Sequence, residues 1–292
     1  MNSGTAIAAL RGSIAGAAAS VRQALLECPL PEKDKRALLA HAMGAARERL
    51  IAHPEAPVPA AALARFRQLA ARRGAGVPMA YLLEEQEFYG HRLRVTPAVL
   101  IPRPETEILV ERALEAMGQA SSGRALDLGT GSGAIAIALA AARPGWTVFA
   151  SDCCLDALSV AQDNARRVGV AVHWLAGRWL APVGAAFEVI VSNPPYVAGA
   201  DPHLEQLACE PRGALTDGAD GLSALREIIA AAMRHLRPGG RLLVEHGYDQ
   251  GPATRRLMQD SGFADVRTFF DLEGRERVCS GARPATGGAR LV

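Results

Sequence analysis

The rhythm of hydrophobic positions along this 292-residue chain changes near residue 80. Before that point apolar residues recur at helical spacing, with charges between them. Thr5 to Glu27, Glu32 to Ile51 and Ala60 to Arg73 each read as an amphipathic helix. The second is entered through Pro29 and Pro31, the third follows the break His53–Pro59, and Arg73-Gly74-Ala75-Gly76 is a helix stop. Alanine blurs the periodicity, so three or four helices fit equally well. From Glu87 to Val95 the pattern alternates around a turn, and with Val99-Leu100-Ile101 it suggests a β-hairpin joining two domains, closed by Pro102 and Pro104.

Beyond the prolines, strand-like and helix-like segments alternate. Helices are expected at Glu105 to Met117, Ala134 to Ala142, Ala157 to Val168, Leu222 to Leu236 and Pro252 to Ser261. Strands are expected at Arg124 to Leu128, Trp146 to Ser151, Val172 to Leu175, Phe187 to Ser192 and Arg241 to Glu245, then a terminal antiparallel pair at Ala264 to Phe270 and Glu276 to Ser280. This order implies an α/β fold with a mostly parallel, doubly wound, seven-stranded sheet. The expected organisation is a helical domain over 1–84, a hairpin linker over 85–104, an α/β domain over 105–283 and a flexible tail over 284–292.

Composition narrows the class. Hydrophobic residues make up 49% of the chain, which is globular, and the formal net charge of +2 argues against a dedicated nucleic-acid binder. Lysine occurs only at Lys33 and Lys35, and the abundance of arginine follows that of alanine and glycine as a composition bias. Cys28, Cys153, Cys154, Cys209 and Cys279 form no CxxC pair, so no zinc ribbon or redox pair is indicated. A reducing cytoplasm is the expected location. No uncharged apolar run approaches the roughly 20 residues of a membrane span, and Ala6 to Val21, interrupted by Arg11, reads as a helix rather than a signal peptide.

Two motifs carry chemistry. Asp127-Leu128-Gly129-Thr130-Gly131-Ser132-Gly133 leaves a strand and opens a helix. Glycines there allow a sharp turn and close approach of a ligand, and the helix start offers free N–H groups. Asp152 ends the next strand, where a carboxylate can accept from both ribose hydroxyls. This combination suits NAD and S-adenosylmethionine alike. Val189-Ile190-Val191-Ser192-Asn193-Pro194-Pro195-Tyr196 separates them. Pro194 and Pro195 remove two donors, leaving the Asn193 amide oxygen and the Pro194 carbonyl as acceptors beside the flat ring of Tyr196. Such a site suits a planar NH₂ group whose lone pair is directed at a sulfonium methyl. No titratable base lies in the motif, so positioning and electrostatics would carry the reaction.

The chain resembles the protein-(glutamine-N5) methyltransferases of peptide chain release factors, the HemK/PrmC family. The resemblance spans about residues 20 to 283. It rests on Val77-Pro78-Met79-Ala80-Tyr81-Leu82, Glu87-Phe88-Tyr89-Gly90, Leu100-Ile101-Pro102-Arg103-Pro104-Glu105-Thr106-Glu107, the glycine loop, Asn193 to Tyr196, Glu210-Pro211-Arg212-Gly213-Ala214-Leu215 and Glu245-His246-Gly247. It implies a class I, Rossmann-like methyltransferase with S-adenosyl-L-methionine as methyl donor and no metal. It implies cofactor binding by Gly129, Thr130, Gly131, Ser132, Gly133, Asp152, Trp179 and Asn193, and glutamine binding by Asn193, Pro194, Pro195 and Tyr196. Asn193, Pro194 and Tyr196 would be the catalytic set. The substrate would be the Gly-Gly-Gln glutamine of a release factor gripped in part by the helical domain, with no nucleic acid and no membrane involved, and the enzyme a monomer.

Arg178 stands where relatives usually carry an aspartate, which bears on cofactor affinity. Two other readings compete. The asparagine motif alone also serves methylation of exocyclic base amines, on adenine or guanine, and Arg178 could mark a release-factor binder that no longer methylates. Arg65, Arg67, Arg72 and Arg73 are either a solvated face or a contact for an acidic surface. Arg103 and Glu105 could form an interdomain ion pair or line the cleft. None of the seven histidines shows ligand spacing, His203 with Cys209 included.

Overall fold

The computed structural model describes residues 19–285. They divide into two compact units, one ending at Leu83 and the other beginning at Glu84. The first is all-helical: α1 (Val21–Leu26), α2 (Glu32–Met43), α3 (Arg47–Ala52), α4 (Ala60–Gly74) and α5 (Met79–Leu83). Leu38, Leu39, Leu50, Phe66, Leu69 and Leu82 form its core. The single helix expected from Glu32 to Ile51 is two. Gly44 takes left-handed φ +60° at the end of α2 and donates its N–H back to Ala40 and His41, a conformation that closes a helix. Of the helix expected from Thr5 to Glu27, residues 19–27 are described and Val21–Leu26 is helical; of the expected tail, residues 286–292 lie outside the described residues.

The second unit opens with the hairpin β1 (Glu85–Phe88) and β2 (His91–Arg94). Tyr89 and Gly90 turn it with φ +49° and +76°, both positive as a two-residue hairpin turn requires. A 3₁₀ turn at Pro104–Thr106 leads into α6 (Glu107–Met117). The alternating series follows: β3 (Arg124–Leu128), α7 (Ala134–Ala142), β4 (Thr147–Asp152), α8 (Leu155–Val168), β5 (His173–Ala176) and β6 (Phe187–Ser192). Two short helices, α9 (His203–Gln206) and α10 (Arg212–Leu215), precede α11 (Ser223–His235), β7 (Leu236–Glu245), α12 (Gly251–Asp260), β8 (Ala264–Phe270) and β9 (Glu276–Ala282). The strand β7 begins five residues before the expected Arg241, because Leu236 already pairs with Phe187 of β6.

The sheet runs β5-β4-β3-β6-β7-β9-β8, parallel except for β9, which is antiparallel to both neighbours. Side chains alternate across it as the pleat demands. Ala125, Val189, Val191 and Leu243 pack with α6 and α7 on one face, whereas Leu126, Leu128, Ile190, Leu242 and Val244 pack with α11 on the other. The helix α7, AIAIALAAA, is apolar all round and correspondingly buried. The chain winds from β3 outward through β4 and β5, then returns to the other side of β3 through β6 and β7. The switch point therefore lies between β3 and β6 at their carboxyl ends, where such sheets place ligands.

Candidate active site

Both motifs meet at that switch point. Leu128 is paired with Ser192, so the glycine turn after β3 and Asn193 after β6 leave adjacent strands at the same level. The Ser192 hydroxyl donates to the Leu128 carbonyl at 2.8 Å and ties the two exits together. On the other side Ser192 is level with Val244, which brings Asn193 beside Glu245.

The glycine turn is held from beneath. Gly129 and Thr130 donate their N–H groups to the Ser151 carbonyl, and Gly131 donates to Asp152 Oδ2 at 2.9 Å. Asp152 Oδ1 accepts from Cys154 N–H at 2.9 Å. Each oxygen keeps a second lone pair for a further donor. Gly129, Gly131 and Gly133 all have positive φ, and nothing lies within 4 Å of where a Cβ on Gly131 would stand. Fully buried Asn164 links this turn to the hairpin, donating to the Ser132 and Arg94 carbonyls and accepting from the Arg94 N–H.

Trp179 forms a wall of the turn. Its ring lies 3.0 Å from the position of a Cβ on Gly129, and its own φ is +47°. The indole Nε1 is buried and acts with Arg178 to hold the Glu227 carboxyl below its usual range. Arg178 lies over the indole, 5.5 Å from the ring centroid, and grips Glu227 of α11 through two nitrogens at 2.7 and 3.1 Å. The positive charge of Arg178 is thus neutralised locally.

At the second motif, Asn193 Nδ2 donates to the Thr106 hydroxyl at 3.1 Å, leaving Oδ1 as the acceptor face of the amide. The Tyr196 hydroxyl donates to Glu245 Oε1 at 3.1 Å, and its backbone carbonyl accepts from Gln250 Nε2 at 2.9 Å. Burial and the neighbouring Glu245 carboxyl raise the Tyr196 pKa, so the phenol stays protonated. Glu245 is 1% exposed, and burial pushes its pKa up to about 7 against the pull of Thr106, Tyr196 and Arg277.

Arg103 does not form the expected ion pair with Glu105. Its guanidinium pairs with Glu210, which also accepts the Ile101 N–H, so the pair lies within the second unit and Glu105 is not its partner. In the helical unit Arg67 pairs with Glu27 and Arg73 with Asp34. His203 is engaged by Asp201, and no metal-binding cluster of His, Cys, Asp or Glu occurs among the described residues.

Three residues join the site that pattern reading assigned no role there: Asp127, Thr106 and Glu245. Asp127 is fully buried, its pKa pushed up to about 7 by burial against the pull of the Thr130 hydroxyl, which donates to Oδ2 at 2.6 Å, and of the Ala136 N–H. Each carried a signal, an acid ending an apolar strand or a polar residue within a proline-rich run.

The chain matches two family descriptions, the PrmC N-terminal domain over residues 17–83 and the methyltransferase small domain over residues 105–220. A release factor glutamine methyltransferase from Burkholderia pseudomallei is 49% identical over 276 residues, covering 91% of this chain and 97% of the relative. One from Bordetella pertussis is 48% identical over 265 residues, covering 89% and 98%. One from Pseudomonas aeruginosa is 46% identical over 261 residues, covering 88% and 94%. Among solved structures, a methyltransferase from Pyrococcus furiosus superposes with TM-score 0.52 at 19% identity, covering 75% of this chain and 98% of that one. A 16S rRNA N2 methyltransferase from Thermus thermophilus, in complex with AdoMet and guanosine, gives 0.51 at 22% identity, covering 68% and 49%. These two establish the class I methyltransferase fold. No helix among the described residues is long and apolar enough to cross a membrane.

Proposed function

The chain belongs to the family of release factor glutamine methyltransferases, and from that premise we infer that it transfers a methyl group from S-adenosylmethionine to the side-chain amide nitrogen of the glutamine in a release factor's Gly-Gly-Gln motif. The observation that carries the chemistry is the strand register. It sets an amide acceptor, Asn193 Oδ1, next to a glycine turn with an open face.

The residues of the turn fit the cofactor. Gly131 leaves room for close approach, and Asp152 retains acceptor capacity for hydroxyls. We assign Gly129, Thr130, Gly131, Ser132, Gly133, Asp152, Trp179 and Asn193 to hold it. S-adenosylmethionine, when bound, supplies an electrophilic methyl group.

The protein's own work is to prepare the nitrogen. An amide NH₂ is a weak nucleophile because its lone pair is delocalised into the carbonyl. Asn193 Oδ1 and the Pro194 carbonyl accept hydrogen bonds from its two N–H groups, Pro195 and Tyr196 bound the amide plane, and one of the two protons passes to solvent once the nitrogen carries the methyl group. With both N–H bonds fixed, the lone pair has one direction left. This is catalysis by positioning, worth several kcal/mol in well-oriented systems. The helical unit serves as a contact surface for the release factor. A protein substrate accords with a formal charge of only +2.

Incubation with labelled cofactor and an intact release factor should place label on that glutamine. Equal labelling of a release factor in which the glutamine is alanine would contradict the assignment.

A further inference from the structure

An asparagine amide is nearly symmetric in shape, yet its two ends are opposite in chemistry. Turned one way, Asn193 offers an acceptor to an incoming NH₂; turned the other way, it offers a donor and repels it. Something must fix the turn. In the structure Nδ2 donates to the Thr106 hydroxyl oxygen. A hydroxyl can accept or donate, so its other partner decides.

The carboxyl of Glu245 is placed to be that partner, since the register of β6 on β7 sets it level with Asn193, which Thr106 bonds. The Thr106 hydroxyl acts on it as a hydrogen-bonding group and lowers its proton affinity. Oε2 of Glu245 is buried without a hydrogen-bond partner, an acceptor open to the Thr106 hydroxyl, whereas Tyr196 Oη donates to Oε1 at 3.1 Å. An ionised carboxylate only accepts. It therefore calls the Thr106 hydrogen toward itself, and the Thr106 oxygen is left to accept from Asn193 Nδ2. One buried acid thus reaches both side chains of the motif, Asn193 through Thr106 and Tyr196 directly.

We propose that Glu245 and Thr106 are positioning residues that hold the Asn193 amide with Oδ1 toward the substrate nitrogen and fix the tilt of the Tyr196 ring. The proposal rests on the reading that Asn193 and Tyr196 receive the substrate amide. The groups acting on Glu245 are Tyr196 after β6, Thr106 and Glu105 before α6, and Arg277 on β9, with His246 next in its own chain. Protonation of Glu245 gives it a hydrogen to donate, frees the Thr106 hydroxyl to turn, and releases the amide. Turnover of the wild type should therefore fall as pH drops below about 7, the value to which burial raises this acid.

The test is steady-state methylation of an intact release factor by the full-length enzyme across pH 6 to 9, with calorimetry of S-adenosylmethionine binding beside it. In Glu245→Gln, kcat should fall ~10- to 100-fold, KM for the cofactor should change little, and the acid limb should vanish. Thr106→Val should show the same loss of kcat, and Thr106→Ser should restore it. Wild-type kcat and an unchanged acid limb in Glu245→Gln would overturn the proposal. If that variant does not fold, equal turnover in Thr106→Val and wild type overturns it instead. A wild type that binds cofactor yet leaves release factor unmethylated would count against the functional reading and not against this relay.

Discussion

Asn193 is the residue on which the chemistry turns. Its amide oxygen is the side-chain carbonyl acceptor of the motif, and its Nδ2 is held by Thr106. Replacing it by alanine should lower turnover at least about a hundredfold, the scale for losing one preorganised electrostatic contact. Cofactor affinity should fall far less, and calorimetry beside the turnover assay separates the two. Gly129 makes the reciprocal case. A Cβ there would stand 3.0 Å from the Trp179 ring on a backbone with φ +70°. Gly129→Ala should displace Trp179 and weaken cofactor binding strongly, read as loss of calorimetric heat while the far-ultraviolet spectrum stays native. Arg178 needs no such penalty, because Glu227 neutralises it and its guanidinium covers the indole.

At the scale of elements, glycines with the same sign of φ do different jobs. Gly44 closes α2 at φ +60° with nothing within 4 Å of a Cβ position, so Gly44→Ala carries backbone strain alone, about 1 kcal/mol. Gly133 opens α7 at φ +83°, where a Cβ would come 3.0 Å from both Ala161 and Ile137. Gly133→Ala should cost clearly more, because α8 must move away from α7; parallel denaturant titrations of the two variants give the comparison. These elements also mark how far the sequence could be read. Arg124–Leu128, Ala134–Ala142, Phe187–Ser192 and Ala264–Phe270 match the pattern reading end to end, since glycine, proline or polar turn residues lie close to their ends. The division of Glu32 to Ile51 was not legible, because Met43-Gly44-Ala45 interrupts neither charge nor alanine spacing. The motif side chains were legible as a set. Their supports were not, because Thr106 and Glu245 reach Asn193 and Tyr196 only through the order of strands in the sheet, a long-range property that no local pattern carries.

Across the whole molecule, two buried acids link stability to pH. Asp127 and Glu245 both have folded pKa values of about 7, well above the 3.8 and 4.5 of the free groups. A raised folded pKa means that the unfolded chain releases the proton first. The favourable term is fully present below the unfolded pKa and is lost as pH rises toward and through the folded value. His246, held neutral by burial, works the other way at lower pH. The contribution of Glu245 is isolated by difference: the melting temperature of Glu245→Gln minus that of the wild type should increase from pH 5 to about pH 7 and level off above it. A difference that is flat over that range would remove the titration from this acid. The same strand order that buries Glu245 brings the two motifs together, so stability and chemistry share one group.

The central claim is a methyl transfer to one amide nitrogen of one glutamine, and peptide mass spectrometry tests it most directly. A release factor is incubated with S-adenosylmethionine in the presence and absence of the protein, digested and sequenced by fragmentation. The account predicts one added methyl group, on the side chain of the Gly-Gly-Gln glutamine, only where protein and cofactor are both present. An unmodified glutamine after complete incubation, or a methyl group carried on another residue instead, would contradict it.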